Sequence, residues 1–188
     1  MAWPPRFLFT SGRLCIDFVH TGGEGVRARW ERWHSTRDLA DWMAQRPGLE
    51  VVARVGERDL RDARALREAI WSAAQAVLRR RAIPADCARA LVRTGGRPSL
   101  VPVLRRGAMA WSPDSTGAQV LSTVARDAIE LFGTSARVRL RECGNPMCQL
   151  LFVDTSRPGK RAWCTMRRCG NLAKVARYRA SRRRSDRQ

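Results

Sequence analysis

Residues 139–171 read RLRECGNPMCQLLFVDTSRPGKRAWCTMRRCGN. Four of the six cysteines fall here, spaced C-x4-C-x15-C-x4-C: Cys143, Cys148, Cys164 and Cys169. Zinc takes four ligands in a tetrahedron, and thiolates suit it at about 2.3 Å. Two close pairs joined by a hairpin-length connection can converge on one such ion. The triplet Cys-Gly-Asn opens at Cys143 and recurs at Cys169. Glycine directly after cysteine predicts a sharp turn with positive φ, which Asn145 and Asn171 also tolerate, and Pro146 adds a bend. Two disulfides or four ordinary buried thiols are the competing readings. Four cysteines within 27 residues, against two in the preceding 142, favour the metal. Four thiolates close the coordination sphere, so the expected role is one structural Zn²⁺. The segment offers only Leu150, Leu151, Phe152, Val153, Trp163 and Val175 as a core, too little to fold without the metal.

The chain beyond the last cysteine is basic. Residues 157–188 carry twelve Lys or Arg and one acid, Asp186. A helix over 172–182 places Leu172, Ala173, Ala176 and Ala180 on one side, expected to pack on the zinc site. Lys174, Arg177, Tyr178, Ser181 and Arg182 face outward, while Arg179 and Arg183 fall toward the apolar side. A knuckle, a hairpin and a helix starting at the last ligand make a treble-clef-like plan. Arg reaches both phosphates and guanine edges, so the expected partner is nucleic acid. The candidate contacts are Arg161, Arg167, Arg168, Lys174, Arg177, Tyr178, Arg182 and Arg183.

The whole chain agrees in sign. It has 188 residues with 36 Lys and Arg against 17 Asp and Glu, a formal net charge of +19. That draws it to polyanions. No signal peptide or spanning apolar run is legible, so a cytoplasmic, nucleoid-associated protein is expected, with reduced thiols.

Upstream of the cysteines the pattern is mainly helical. Residues 7–20, FLFTSGRLCIDFVH, read as strand–turn–strand or strand–helix. Ser35 or Thr36 caps a helix running to Arg46, and 57–81 is an amphipathic helix on Leu60, Ala63, Leu66, Ile70, Ala74, Val77 and Leu78. Another helix runs from Pro84 to about Thr94, two short strands surround an Arg-Arg-Gly turn in 99–112, and 116–132 is helical. Beyond, VRLRE and LLFV alternate as strands. The expected fold class is α+β, mostly helical: a helical domain with a few short strands over residues 1–135, and a small zinc finger over 136–188.

Residues 139–177 resemble the CGNR zinc finger, a C-terminal module of bacterial proteins. The matching positions include Arg139, Arg141, Phe152, Asp154, Ser156, Arg161, Trp163, Gly170, Asn171, Lys174 and the four cysteines. FLFTSGRLCIDFVHT and TRDLADWM resemble the helical ABATE domain that precedes this finger. The resemblance implies a stress-induced transcription regulator that binds DNA through its finger. Leu172 stands where the motif has its arginine, and His20 where the family has asparagine.

The remaining polar candidates are Asp17, His20 and Trp42. Asp17 sits in an apolar run and needs partners; a backbone amide or an arginine is the expected one, and a ligand pocket built with His20 and Trp42 is the alternative. Cys15 and Cys87 read as buried apolar residues. No nucleophile–base pair, phosphate loop or paired carboxylates emerge, so an enzyme is not expected. The alternatives to DNA binding are an RNA-binding or ribosome-associated module, or a small-molecule-binding N-terminal domain with a purely structural finger. A small-molecule effector and a homodimer fit the regulator reading.

Overall fold

The computed structural model describes residues 6–185, leaving out the side chains of 177, 180, 181 and 183–185. Helix α1 spans Leu14–Val19, α2 Thr36–Gln45, α3 Glu57–Leu78, α4 Ala85–Gly95 and α5 Gly117–Gly133. Strands β1 (Pro102–Arg105) and β2 (Ala108–Trp111) form one hairpin. Strands β3 (Leu140–Glu142) and β4 (Leu151–Val153) form a second, and α6 runs Asn171–Ser185.

Local chemistry sets the helix ends. Ser35 caps α2, and Asp38 returns a hydrogen bond to the Ser35 amide, a capping box. Thr116 and Gln119 do the same for α5. Helix α3 buries Leu60, Ala63, Leu66, Ile70, Ala73 and Ala74 against α4, α5 and α1. At its end Arg81 N–H donates to Ala76 at 2.8 Å and Arg80 N–H to Val77 at 3.0 Å. That is a Schellman closure with Arg80 in the left-handed position glycine favours, φ +55°. Phe18, Trp33 and Trp42 meet edge to face at 4.8–6.0 Å between ring centres.

Two expectations are corrected. Residues 7–13 form no strand, while the helical alternative for the second half holds in α1, with Cys15, Ile16, Asp17, Phe18 and Val19 all buried. A helix buried on every side gives the same continuous apolar run as a buried strand. Residues 135–139 are a short 3₁₀ turn, leaving only 140–142 of VRLRE as strand. Pro84 caps α4 from outside the helix.

The second hairpin joins the two ends of the molecule. Its register pairs Leu140 with Val153, Arg141 with Phe152 and Glu142 with Leu151. Alternate side chains on a strand point to opposite faces. Leu140, Leu151 and Val153 therefore enter the helical core, while Phe152 alone turns to the cysteines. Val153 N–H also donates to Ser11 at 2.7 Å, tying β4 to the segment before α1. The expectation that Leu151, Val153 and Val175 form a core private to the cysteine segment is thus corrected. Two of them serve the helical body, and Val175 is exposed.

Candidate metal centre

The four cysteines converge. Their Sγ atoms all lie within 4.8 Å of one another, and all four residues are buried. Cys148 Sγ is 3.6 Å from Cys164 Sγ, which is 3.8 Å from Cys169 Sγ. A tetrahedron with metal–sulfur bonds near 2.3 Å has edges of about 3.8 Å. The sulfur spacing fits a tetrahedral thiolate site and is far too long for an S–S bond, near 2.05 Å. All six cysteines are free thiols, with Cys15 and Cys87 buried as expected.

Four thiolates at this distance repel one another unless a cation or shared protons offset their charge. With protons alone, the Cys164 thiol donating to Cys148 holds Cys148 down to about 5, and the same contact drives Cys164 far above its ordinary value. Burial and neighbouring thiols push Cys169 up to about 11. This asymmetric proton sharing is what a dication replaces, since metal ligation requires all four sulfurs deprotonated.

The surrounding residues set the sulfurs in place. Gly144 N–H donates to Ala162 O at 2.8 Å, drawing the two knuckles together. A Cβ on Gly144 would meet Ala162 O at 3.2 Å and the Trp163 ring at 3.3 Å. Gly170 lies in the π-turn Met166–Gly170, where a Cβ would meet Met166 Sδ at 2.6 Å. Neither glycine has positive φ, correcting that expectation: close approach to the Ala162 carbonyl and the Trp163 ring constrains Gly144, whereas the exposed Met166 side chain beside Gly170 can move aside. Asn145 Nδ2 donates to Cys169 Sγ at 3.5 Å, and its Oδ1 accepts from Met147 N–H at 3.1 Å. Cys164 N–H points at Cys143 Sγ, 3.5 Å away.

Asp154 clasps the connecting loop. It accepts from the Ser156 hydroxyl and amide and from Arg161 N–H at 2.6–2.9 Å. The Ser156 hydroxyl is the main cause holding its carboxyl down to about 2, followed by the Arg161 and Ser156 amides. Asp-x-Ser is an Asx-turn pattern, so this role had a signal in the sequence. Arg161 then reaches inward, donating to Trp163 O at 2.8 Å and to Cys164 O, with its guanidinium 4.6 Å from the Phe152 ring centre.

The other expected contact residues lie along the finger's outer side. Arg167, Lys174 and Arg182 are exposed, and Tyr178 is 61% exposed with Arg182 over its ring at 5.9 Å; Arg179, expected toward the apolar side, is exposed as well. Arg168 is half-buried, its amide capped by Thr165. The side chains of Arg177 and Arg183 lie outside the described residues. Among its described side chains helix α6 does not pack on the zinc site as expected: Leu172 is 58% exposed, Ala176 is exposed and Ala173 is half-buried, while the side chain of Ala180 lies outside the described residues. Phe152, Leu150 and Trp163 pack against the sulfurs instead.

Residues 12–135 match the family ABATE, described as "Putative stress-induced transcription regulator". The chain belongs to the ABATE family. Residues 139–183 of this ABATE protein match the CGNR zinc finger. No curated protein matches the sequence. In this ABATE protein the finger takes one structural zinc ion, which Cys143, Cys148, Cys164 and Cys169 would hold. Four thiolates and Zn²⁺ sum to a double negative charge, and the sphere is closed to substrate.

In the ABATE domain the remaining candidates are spread through the core. Asp17 accepts from Ser11 N–H at 3.0 Å and from the Arg46 guanidinium at 3.1 and 3.3 Å. Burial pushes its carboxyl up against these bonds. Trp42 is fully buried in the aromatic cluster. Both His20 ring nitrogens are buried without a hydrogen-bond partner. Burial lowers His20 to about 4, and the nearby Leu151 backbone, short of hydrogen-bond geometry, opposes this only slightly. His20 thus lies against the finger's hairpin. No helix among the described residues is long and apolar enough to cross a membrane.

Proposed function

We propose that this zinc protein is a DNA-binding transcription regulator whose finger binds DNA through α6. The observation that carries the reading is a cationic helix launched directly from a metal ligand. Cys169 and Gly170 are buried at the zinc site, and α6 begins at the next residue. Its described cationic side chains, Lys174, Arg179 and Arg182, are all exposed. A rigid metal anchor reduces the entropy lost when such a helix docks. Arg167, Arg168, Lys174, Arg177, Arg182 and Arg183 contact phosphates, with Lys174 or Arg177 on a base edge and Tyr178 beside them. Arg161, already bonded to Trp163 and Cys164, instead stiffens the finger. The helical body over 1–135 receives the signal, and 136–188 is the DNA-binding unit.

Neutralising about five to eight phosphates makes affinity fall roughly 10³–10⁴-fold between 50 and 200 mM salt. Fluorescence anisotropy with duplex DNA across that range tests the proposal, with structured RNA as competitor. Binding indifferent to salt refutes it, and preferential displacement by RNA transfers the function to RNA.

A further inference from the structure

A cleft of about 820 Å³ lies where the end of α3 meets β3, apart from the zinc site. Its floor is apolar, formed by Leu78 and Ile83 from the α3–α4 junction and by Leu140 from β3. Its rim is cationic: Arg80 and Arg81 on one side, Arg137 and Arg141 on the other, with Glu142 the single acid among the lining residues. Among the described residues no ion pair engages any of these four arginines.

The backbone holds the rim in place. The Schellman closure fixes Arg80 and Arg81 just past the last turn of α3. Arg141 is pinned by hydrogen bonds to Val138 O at 2.6 Å and Leu140 O at 2.9 Å. None of Asp17, His20 or Trp42 lines the cleft.

We propose that this cleft binds a small anionic amphiphile, an apolar body carrying one carboxylate. The volume is within the usual range for small-molecule sites, about 300–1,000 Å³. The floor removes apolar surface from water, and the arginine forks suit a planar oxyanion. A nucleic-acid backbone would use the arginines but leave the floor unfilled. The ligand would rest on β3, the strand leading into Cys143. The proposal does not depend on DNA binding.

The test uses the full zinc-loaded chain and the fluorescent probe dansylamino-undecanoate. Expected is saturable one-site binding with blue-shifted emission, weakened at least about tenfold in Arg81→Glu and in Arg137→Glu. Arg105→Glu, an equal charge change on an exposed strand residue outside the cleft, leaves affinity within about twofold. The neutral methyl ester of the probe binds at least about tenfold more weakly. Non-saturable binding, equal weakening by Arg105→Glu, or an ester that binds as well as the acid overturns the proposal.

Discussion

Leu151 and Phe152 are adjacent, both fully buried, and face opposite ways across one short strand. Truncating each to alanine should therefore damage different parts of the molecule. Leu151→Ala leaves a cavity in the helical core, costing about 2–5 kcal/mol. For a chain of this length each kcal/mol shifts Tm by about 2–4 °C, so the main helical transition should fall by roughly 4–20 °C. Its zinc content should stay at one per chain, because its side chain does not touch the sulfurs. Phe152→Ala costs about 3–5 kcal/mol, but on the metal side, where the ring also carries the Arg161 guanidinium. Because the finger folds with its metal, that cost should appear as about 10²–10⁴-fold weaker zinc binding. The helical transition should move by only a few degrees. Circular dichroism at 222 nm follows the helices, and competition with a chromogenic chelator follows the zinc. If Leu151→Ala releases zinc while Phe152→Ala lowers the main Tm, the two-faced hairpin is refuted.

Cys164→Ser should abolish the stoichiometric zinc seen by native mass spectrometry while the helices of residues 14–133 stay folded; retention of zinc would exclude the four-thiolate site. His20 has a folded pKa of about 4, below its ordinary 6.5, so the unfolded chain takes up the proton first. Stability is then full above about pH 6.5 and falls as pH drops toward 4, by about 2 kcal/mol at pH 5; urea unfolding of His20→Asn should show a flatter pH dependence, and an unchanged slope would contradict it. Arg106 holds φ +51° before Gly107 in the β1–β2 turn. Asn-Gly suits that geometry, so Arg106→Asn should stabilise by about 0.5–1 kcal/mol, and a drop in Tm would exclude this turn.

The cysteine spacing, read alone, is enough for the metal and for the four cysteines that converge, because ligand count and loop length are local properties. Amphipathic periodicity likewise places α2, α3 and α5, and the Pro84 start and Gly95-Gly96 stop place α4. At α1 and residues 7–13 periodicity failed, since every side of that helix except Leu14 is buried and no solvent face leaves a pattern. The glycines beside the cysteines were legible as necessary, but the reason was not. Close approach of Gly144 to Ala162 O is a contact between separate turns, which sequence order does not encode.

Sequence alone determined that a zinc finger follows the helical domain and launches a basic helix, since ligand identity, spacing and charge are written residue by residue. Tertiary structure decided where the finger's apolar side chains go. Leu140, Leu151 and Val153 could have built a core of their own, yet a two-stranded hairpin has two faces and only one of them meets the sulfurs. The other face is buried against α3 and its neighbours, and that docking opens the arginine-rimmed cleft.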